Sequence, residues 1–315
     1  MPTAETTAPP PAERSRMVVN YGELTSPASL RRRALFYLVP GYLWVGAFLI
    51  LPLFLLIAAS LATRGESGEV VWQFTWENYQ RLAGFSFLGW SADYLLTLGR
   101  SVVVGLVTTL LCLLLSYPLT FFIATRPKRT RYLWLTLVII PFWTNLVIRT
   151  YAWQLVLAPE LPLAKLAAFL HLAEPGQALY PSAFAVYLGM LTTFLPFFAL
   201  PLYASVERMN WSLVEAARDL YSGNWRVFRH AILPQTFSGL SVGIILTFIP
   251  AMGMFVVPDL LGGSKYLLVG NLVQQQFSGS RDWPFGSTVS LALMLLTLIA
   301  LLCLNRQLRK LGEAV

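Results

Sequence analysis

The sequence predicts an all-α integral membrane protein of about six transmembrane helices. Hydrophobic residues make up 56% of the 315 residues and charged ones only 12%, whereas a soluble domain carries about a quarter charged residues. Mean hydropathy is +0.61. Six apolar runs are each long enough to cross a ~30 Å hydrocarbon core, which takes about 20 helical residues.

Residues 1–33 are rich in Pro, Ala, Thr and Ser without apolar periodicity and read as a disordered tail. The first apolar run starts near Ala34 and is too long for a signal-peptide core, so no cleavable leader is expected. The spans read as 34–62 with Pro40 and Pro52, 101–124, 133–157 with Pro141, 183–206 with Pro196 and Pro201, 236–257 with Pro250, and 287–304. Together, 34–304 form one transmembrane domain, and 305–315 form a short tail. Proline inside a membrane helix frees a carbonyl and bends the axis. Such kinks are common in lipid, yet four of them in spans three to five also suit helices shaped around a pathway. Gly239 and Gly243 stand at GxxxG spacing, which permits close helix approach.

Sixteen of the 23 Lys and Arg residues fall on one side of this arrangement, and both termini lie on that side. The bias places the termini in the cytoplasm. The net charge of +8 therefore reads as orientation signals and lipid-headgroup contacts, with no nucleic-acid partner expected. Trp44, Trp134 and Trp153 suit either the membrane interface or core packing. Cys112 and Cys303 lie in apolar runs without CxxC spacing, and His171 and His230 fall on opposite sides, so no metal site is expected. HExxH and GxSxG are absent, which argues against a membrane-embedded enzyme. A secondary transporter would carry ionisable groups inside its spans. None is evident, and six spans are few for that class.

The longest loop on the basic side, 210–234, is patterned throughout. Ser212 and Glu215 fit a capping box, and Leu213, Val214, Ala217 and Leu220 share a helical face. Ala216 and Ala217 leave room for a partner surface. Gly223 and Asn224 break the chain, and Trp225, Phe228 and Ile232 mark a second short helix before Pro234 opens the fifth span. A pair of helices lying in the lipid interface would show the same pattern.

The run Glu215-Ala-Ala-Arg-Asp-Leu220, continuing to Ile232-Leu-Pro234, resembles the EAA loop of permease subunits of bacterial ABC importers. Tyr221 stands where that family usually has glycine, with Gly223 two residues on to make the turn. The resemblance implies a type I ABC importer permease fold in the bacterial inner membrane. It further implies a coupling helix, with Glu215, Ala216, Ala217, Asp219, Leu220 and Gly223 at the contact with an ATPase. The implied partners are two ATP-binding subunits, a second homologous permease and a periplasmic solute-binding protein. No GxxxxGK[ST] is present, and Gly262-Gly-Ser-Lys265 lacks that spacing, so ATP and Mg are expected only on the partner chains.

Three further stretches look like the spermidine/putrescine permease branch: 141–153, 248–265 and 270–286. Met254 stands where that branch often has glutamate. The solute implied is a polyamine, with a sugar, opine or anion as the alternative. Aromatic faces attract organic cations, and carboxylates at a mouth concentrate them. The candidate pathway residues are accordingly Trp143, Asn145, Tyr151, Trp153, Glu160 and Asp259. Each aromatic could equally be ordinary packing, and the two acids could cap helices or pair with Lys165 and Lys265.

Overall fold

In the computed structural model, residues 27–313 are described, except 67, 87, 88, 175, 221 and 222. The predicted tail at 1–26, residues 314 and 315 and the Tyr221 departure lie outside the described residues. The fold is all-α apart from two short hairpins. Among the described residues, five helices are long and apolar enough to cross a membrane, and a bent pair of helices makes a sixth if the two count as one span.

The chain divides into residues 1–55 and 56–315. The described part of the first unit belongs to helix α1, Pro27–Ser60. This helix begins inside the predicted tail, because residues 27–33 continue the helix, and it runs through Pro40 and Pro52 without interruption. Its large side chains, including Phe36, Tyr42, Trp44 and Phe48, are exposed, as lipid-facing residues are.

The second unit begins with the last turn of α1. Strands β1 (Thr63–Arg64) and β2 (Val70–Val71) form one hairpin, helix α2 (Glu77–Leu82) follows, and β3 (Phe85–Ser86) with β4 (Gly89–Trp90) forms another. Three long helices then build the core: α3 (Asp93–Ala124), α7 (Ala183–Glu207) and α10 (Leu233–Gly253). Between α3 and α7 lie α4 (Lys128–Trp143), α5 (Leu146–Val156) and α6 (Pro162–Phe169). The predicted third span is thus broken: α4 and α5 meet at 96°.

Helix α8 (Trp211–Leu220) and α9 (Asn224–Val227) make the loop after α7. A π-helical turn, Phe228–Ile232, joins α9 to α10, so that 224–253 is one helix and Pro234 starts no new element. The predicted fifth span overshoots: the helix stops at Gly253, and α11 (Val256–Gly262) is separate. Helix α12 (Val269–Gln274) precedes α13 (Trp283–Glu313), which continues as helix through the predicted tail from 305.

The core helices turn their small residues inward. On α3, Ser101, Gly105, Thr108, Thr109, Cys112, Ser116 and Thr120 are buried, while Leu96, Val103, Leu106, Leu110 and Leu114 face outward. In lipid, large aliphatic groups gain nothing by hiding from their surroundings. Helices instead associate where small residues let backbones approach. Thr97, Ser101 and Thr109 send their hydroxyls back to the carbonyls four residues earlier, at 2.8, 3.1 and 2.7 Å. Gly105 lies against Phe248 and Met252 of α10. The GxxxG pair does what its spacing suggests: Gly239 meets the Pro201 carbonyl and Ser205 of α7, and Gly243 meets Phe198.

Charged clamps close both ends. At the loop end, Arg131 pairs with Glu207 at 2.9 Å and donates to the Ala124 carbonyl at 2.7 Å, joining α4 to the ends of α7 and α3. At the far end, Arg81 of α2 pairs with Asp282 at 2.7 Å and lies 4.0 Å over the Phe285 ring. Asp282 is 2% exposed and accepts the Phe285 amide at the start of α13. Burial works against the Arg81 charge, while the bond to Asp282 favours it; the balance lies above the ordinary arginine value.

A methyl at 239 would overlap α7, whereas at Gly99 there is open space. Gly239→Ala is expected to destabilise the protein by about 1–3 kcal/mol. Gly99→Ala should be neutral or stabilise it by up to about 1 kcal/mol. Thermal unfolding of the two variants in detergent checks the contrast.

Candidate functional site

The loop at 210–234 folds as an elbow of two arms. Helix α8 starts two residues earlier than the Ser212 cap implies, at Trp211, because Asn210 caps it and the Ser212–Glu215 box does not form. The Asn210 carboxamide oxygen accepts the Ser212 amide at 3.1 Å and its hydroxyl at 2.7 Å. The Asn210 amide is in turn bound by the Gln235 side chain at 2.8 Å, which ties the start of α8 to α10. Gly223 adopts an extended φ of −130° and serves as N-cap of α9; its carbonyl accepts from Arg226 and Val227 at 3.0 and 3.2 Å.

The inward face of α8 is narrower than the sequence suggested. Val214 and Ala217 are buried with Met209, Val227 and Ala231, and Phe121 and Ile232 pack on that cluster. Leu213 and Leu220 point outward instead, at 54% and 80% exposure. Ala217 thus faces the chain's own interior, whereas Glu215, Ala216, Asp219 and Leu220 face away. Trp225 is also outward-facing, at 72%. The exposed side of the elbow is a mixed surface formed by both arms, with Arg218, Arg226 and Arg229 exposed beside the apolar and acidic residues.

Aromatic contacts anchor both arms on the end of α3. Trp211 meets Phe121 edge-on at 6.2 Å. Trp225 stacks on Phe228 at 5.6 Å, and Phe228 meets Tyr117 at 5.5 Å. The Tyr117 hydroxyl lies 3.0 Å from that of Thr236 on α10. No spacing signal marks Tyr117 or Phe121 in the sequence, since both sit in an unbroken apolar run; only the fold brings them under the elbow.

The second region is the break in the third span. Asn145 caps α5 by accepting the Val147 amide at 2.8 Å. Trp143, at the end of α4, is 83% exposed, and Tyr151 on α5 is exposed as well. Trp153 lies on another face and donates its indole N–H to Thr192 of α7 at 3.1 Å. The Gln154 amide reaches the Leu260 carbonyl and so ties α5 to α11.

Arg149 corrects the expectation that no ionisable group lies within a span. It falls inside the 133–157 run and donates to the Pro141 carbonyl at 2.9 Å and, more weakly, to the Thr193 hydroxyl at 3.4 Å. Its guanidinium thereby sits on the carbonyl end of α4, where a cation is favoured. An arginine in a run this apolar was the available signal.

Asp259 on α11 and Glu160 after α5 are exposed. Among the described residues neither carboxylate pairs with a cation, and Glu160 makes no ion pair with Lys165; the expected pairing with Lys265 lies outside the described side chains. Among the described residues no hydrogen bond, ion pair or ring contact joins the six candidate pathway residues into one cluster: Trp153 is used in packing, Asn145 in capping, and the rest are exposed.

Three comparisons with known proteins bear on this geometry. Residues 116–312 match the family of binding-protein-dependent transport system inner membrane components. The chain is 37% identical over 272 residues to the spermidine/putrescine transport system permease protein PotB of Salmonella typhimurium (strain SL1344), covering 86% of this chain and 92% of that one. The PotB of Escherichia coli (strain K12) is likewise 37% identical, covering 86% and 96%. The inner membrane ABC transporter permease protein YdcU of Escherichia coli (strain K12) is 29% identical, covering 85% and 93%. Among solved structures, a bacterial ABC transporter involved in import of the acidic polysaccharide alginate superposes with a TM-score of 0.63 at 16% identity, covering 90% of this chain and 98% of that one. The same kind of transporter with its alginate-bound periplasmic protein gives 0.65 at 14%. At that identity the likeness speaks for the fold alone.

Phe121→Ala would hollow out the seat shared by both arms. The ring is half-buried, so the expected cost is about 2 kcal/mol, below the range for a fully buried phenylalanine. Hydrogen exchange of the amides in 211–220 should then quicken by about thirtyfold, with little change in α7.

Proposed function

Because the chain belongs to the family of binding-protein-dependent transport system inner membrane components, we propose that it forms part of the channel of an ATP-driven importer that passes a polyamine of the spermidine and putrescine class. The observation that carries the solute class is 37% identity across 86% of the chain to permeases named for those solutes. In this reading both termini and the elbow face the cytoplasm, as the basic residues favour. The partners are two ATP-binding subunits, a second homologous permease and a periplasmic solute-binding protein. ATP and Mg are bound by the partners.

The coupling step is mechanical. ATP binding draws the two ATPases together, and the outward side of the elbow moves with them. Glu215, Ala216, Asp219, Leu220 and Trp225 make that docking surface. Its support is their joint exposure on a loop whose other side is packed against the chain. Ala217, by contrast, keeps the elbow folded. Because 224–253 is a single helix, motion of the elbow reaches the membrane interior without an intervening joint.

For the solute, Trp143 and Tyr151 offer ring faces near the break in the third span. Asp259 and Glu160 offer exposed carboxylates that raise the local concentration of a cation. A flexible, multiply charged amine held weakly at several points can also leave, as conduction requires.

Uptake of labelled spermidine and putrescine into proteoliposomes holding the whole complex tests the reading. Polyamine uptake that depends on internal ATP is expected; ATP-dependent uptake of a sugar or anion instead would overturn the solute class. Ala216→Trp should abolish uptake and co-purification of the ATPase subunits while membrane insertion stays normal. Asp259→Asn removes roughly 1 kcal/mol of attraction at the mouth. It should lower uptake at limiting polyamine by about fivefold, with assembly of the complex unchanged.

A further inference from the structure

We propose that the groove between α3 and α7, at the end opposite the elbow, holds a phosphatidylethanolamine molecule with its phosphate on Arg100 and its ammonium on Asp93. The groove has a volume of about 530 Å³. Leu96, Gly99, Arg100 and Val103 of α3 form one wall, and Tyr187 of α7 and Tyr266 line the other. Packing fixes these walls. The Val269 amide donates to the Ser101 hydroxyl at 2.9 Å, which holds the chain after Tyr266 on α3. Gly262 fits against Tyr266 and Val186 of α7 with no room for a methyl. A methyl at Gly99 would meet nothing within 4 Å, so α3 leaves the groove open there.

The depth of the groove follows from the sequence of α3. Arg100 directly precedes the apolar run 101–124, which at about 1.5 Å per residue is long enough for a ~30 Å hydrocarbon core. Long side chains on a helix lean toward its N-terminus. The Arg100 guanidinium therefore extends away from the hydrocarbon while its stem stays on it. That is the level of the lipid phosphates. Toward the bilayer centre the same side of α3 continues as Val103, Leu110 and Leu114, exposed at 54%, 53% and 60%. These residues make an apolar track for an acyl chain.

The order of charges selects the headgroup. Asp93 lies two helical turns before Arg100, on the same face and nearer the water. The Ser91 hydroxyl donates to its carboxylate at 2.6 Å, which steadies it. Among the described residues Asp93 and Arg100 form no ion pair with each other or with any other group. Neither the Arg100 guanidinium nor the hydroxyls of Tyr187 and Tyr266 have a hydrogen-bond partner among them. Helix α7 brings no charged residue to this end. The face thus presents a cation at the phosphate level and a carboxylate above it. A phosphatidylethanolamine headgroup carries the reverse order, phosphate below and ammonium above. Guanidinium binds phosphate through paired N–H donors, and the two phenols can donate to the same oxygens. A choline headgroup has no N–H to give Asp93, and a glycerol headgroup has no cation to set against it.

The test uses the assembled complex in vesicles of equal parts phosphatidylethanolamine, phosphatidylcholine and phosphatidylglycerol. Val103→p-benzoylphenylalanine puts a photocrosslinker in the groove. Leu295→p-benzoylphenylalanine, exposed on α13, samples the surrounding lipid. Mass spectrometry of the adducts gives the lipid ratio at each position. Phosphatidylethanolamine is expected to be enriched at 103 over 295 by about fivefold, as an exposed ion pair allows. Arg100→Gln should abolish the enrichment, and Arg100→Lys, which keeps the charge, should retain part of it. Asp93→Asn should leave phosphatidylethanolamine and phosphatidylcholine equal. The same lipid ratio at 103 as at 295, or an enrichment that survives Arg100→Gln, would overturn the site. Equal loss in Arg100→Gln and Arg100→Lys would mark a structural role and overturn it too. So would enrichment of phosphatidylglycerol instead, a preference over phosphatidylcholine that outlasts Asp93→Asn, or a crosslink to the second permease in place of lipid. Uptake is not the readout, so none of these results touches the importer reading.

Discussion

Close approach of three helix backbones is the constraint on which the rest of this structure depends. Lipid offers apolar side chains no reason to leave it, so α3, α7 and α10 are held where glycines and small hydroxyl residues let their backbones meet. Gly239 and Gly243 on α10 receive α7, and Gly105 on α3 receives α10. Everything else is attached to that triangle. The elbow hangs from the loop between α7 and α10, the broken span packs through Trp153 on α7, and α11 fits over Gly189.

The two ends of the bundle are tied by different sets of contacts. At the elbow end, aromatic contacts and apolar packing, with Phe121 seated between the arms, are joined by directional links: Arg131 on Glu207 and the Ala124 carbonyl, and Gln235 on the Asn210 amide. At the far end the links are Asn78 on two carbonyls, Arg81 on Asp282, and Asp282 on the first turn of α13. Both ends are therefore braced by bonds that break if the parts move apart, and the elbow end adds ring contacts that tolerate small sliding.

Much of this was legible in the sequence because composition and length speak directly to the bilayer. The 183–206 run matches α7 within a residue, and the patterned 210–234 loop is indeed helical. What patterning could not resolve follows from its physical basis. The 133–157 run is apolar throughout, and apolarity carries no information on direction, so the 96° turn at Thr144 and Asn145 left no trace beyond a capping residue and Pro141. On α8, a helical wheel ranks residues by hydrophobicity and assigns Leu213 and Leu220 to the inside. The neighbouring helix admits only Val214 and Ala217, and the larger residues are displaced outward. Asn210 outcompeted Ser212 as cap because Gln235, 25 residues away, fixes its backbone. A contact that distant cannot be read from local spacing.

The uninterrupted helix from Asn224 to Gly253 sets a scale. Thirty residues at about 1.5 Å each make an arm of roughly 45 Å. A swing of about 10° at the elbow would sweep its tip through roughly 8 Å, more than the width of an extended alkylamine. The tip ends at Gly253, whose carbonyl lies against Gly270. A modest rotation at the elbow would thus be magnified along the helix to its far tip, with no need for any helix to melt.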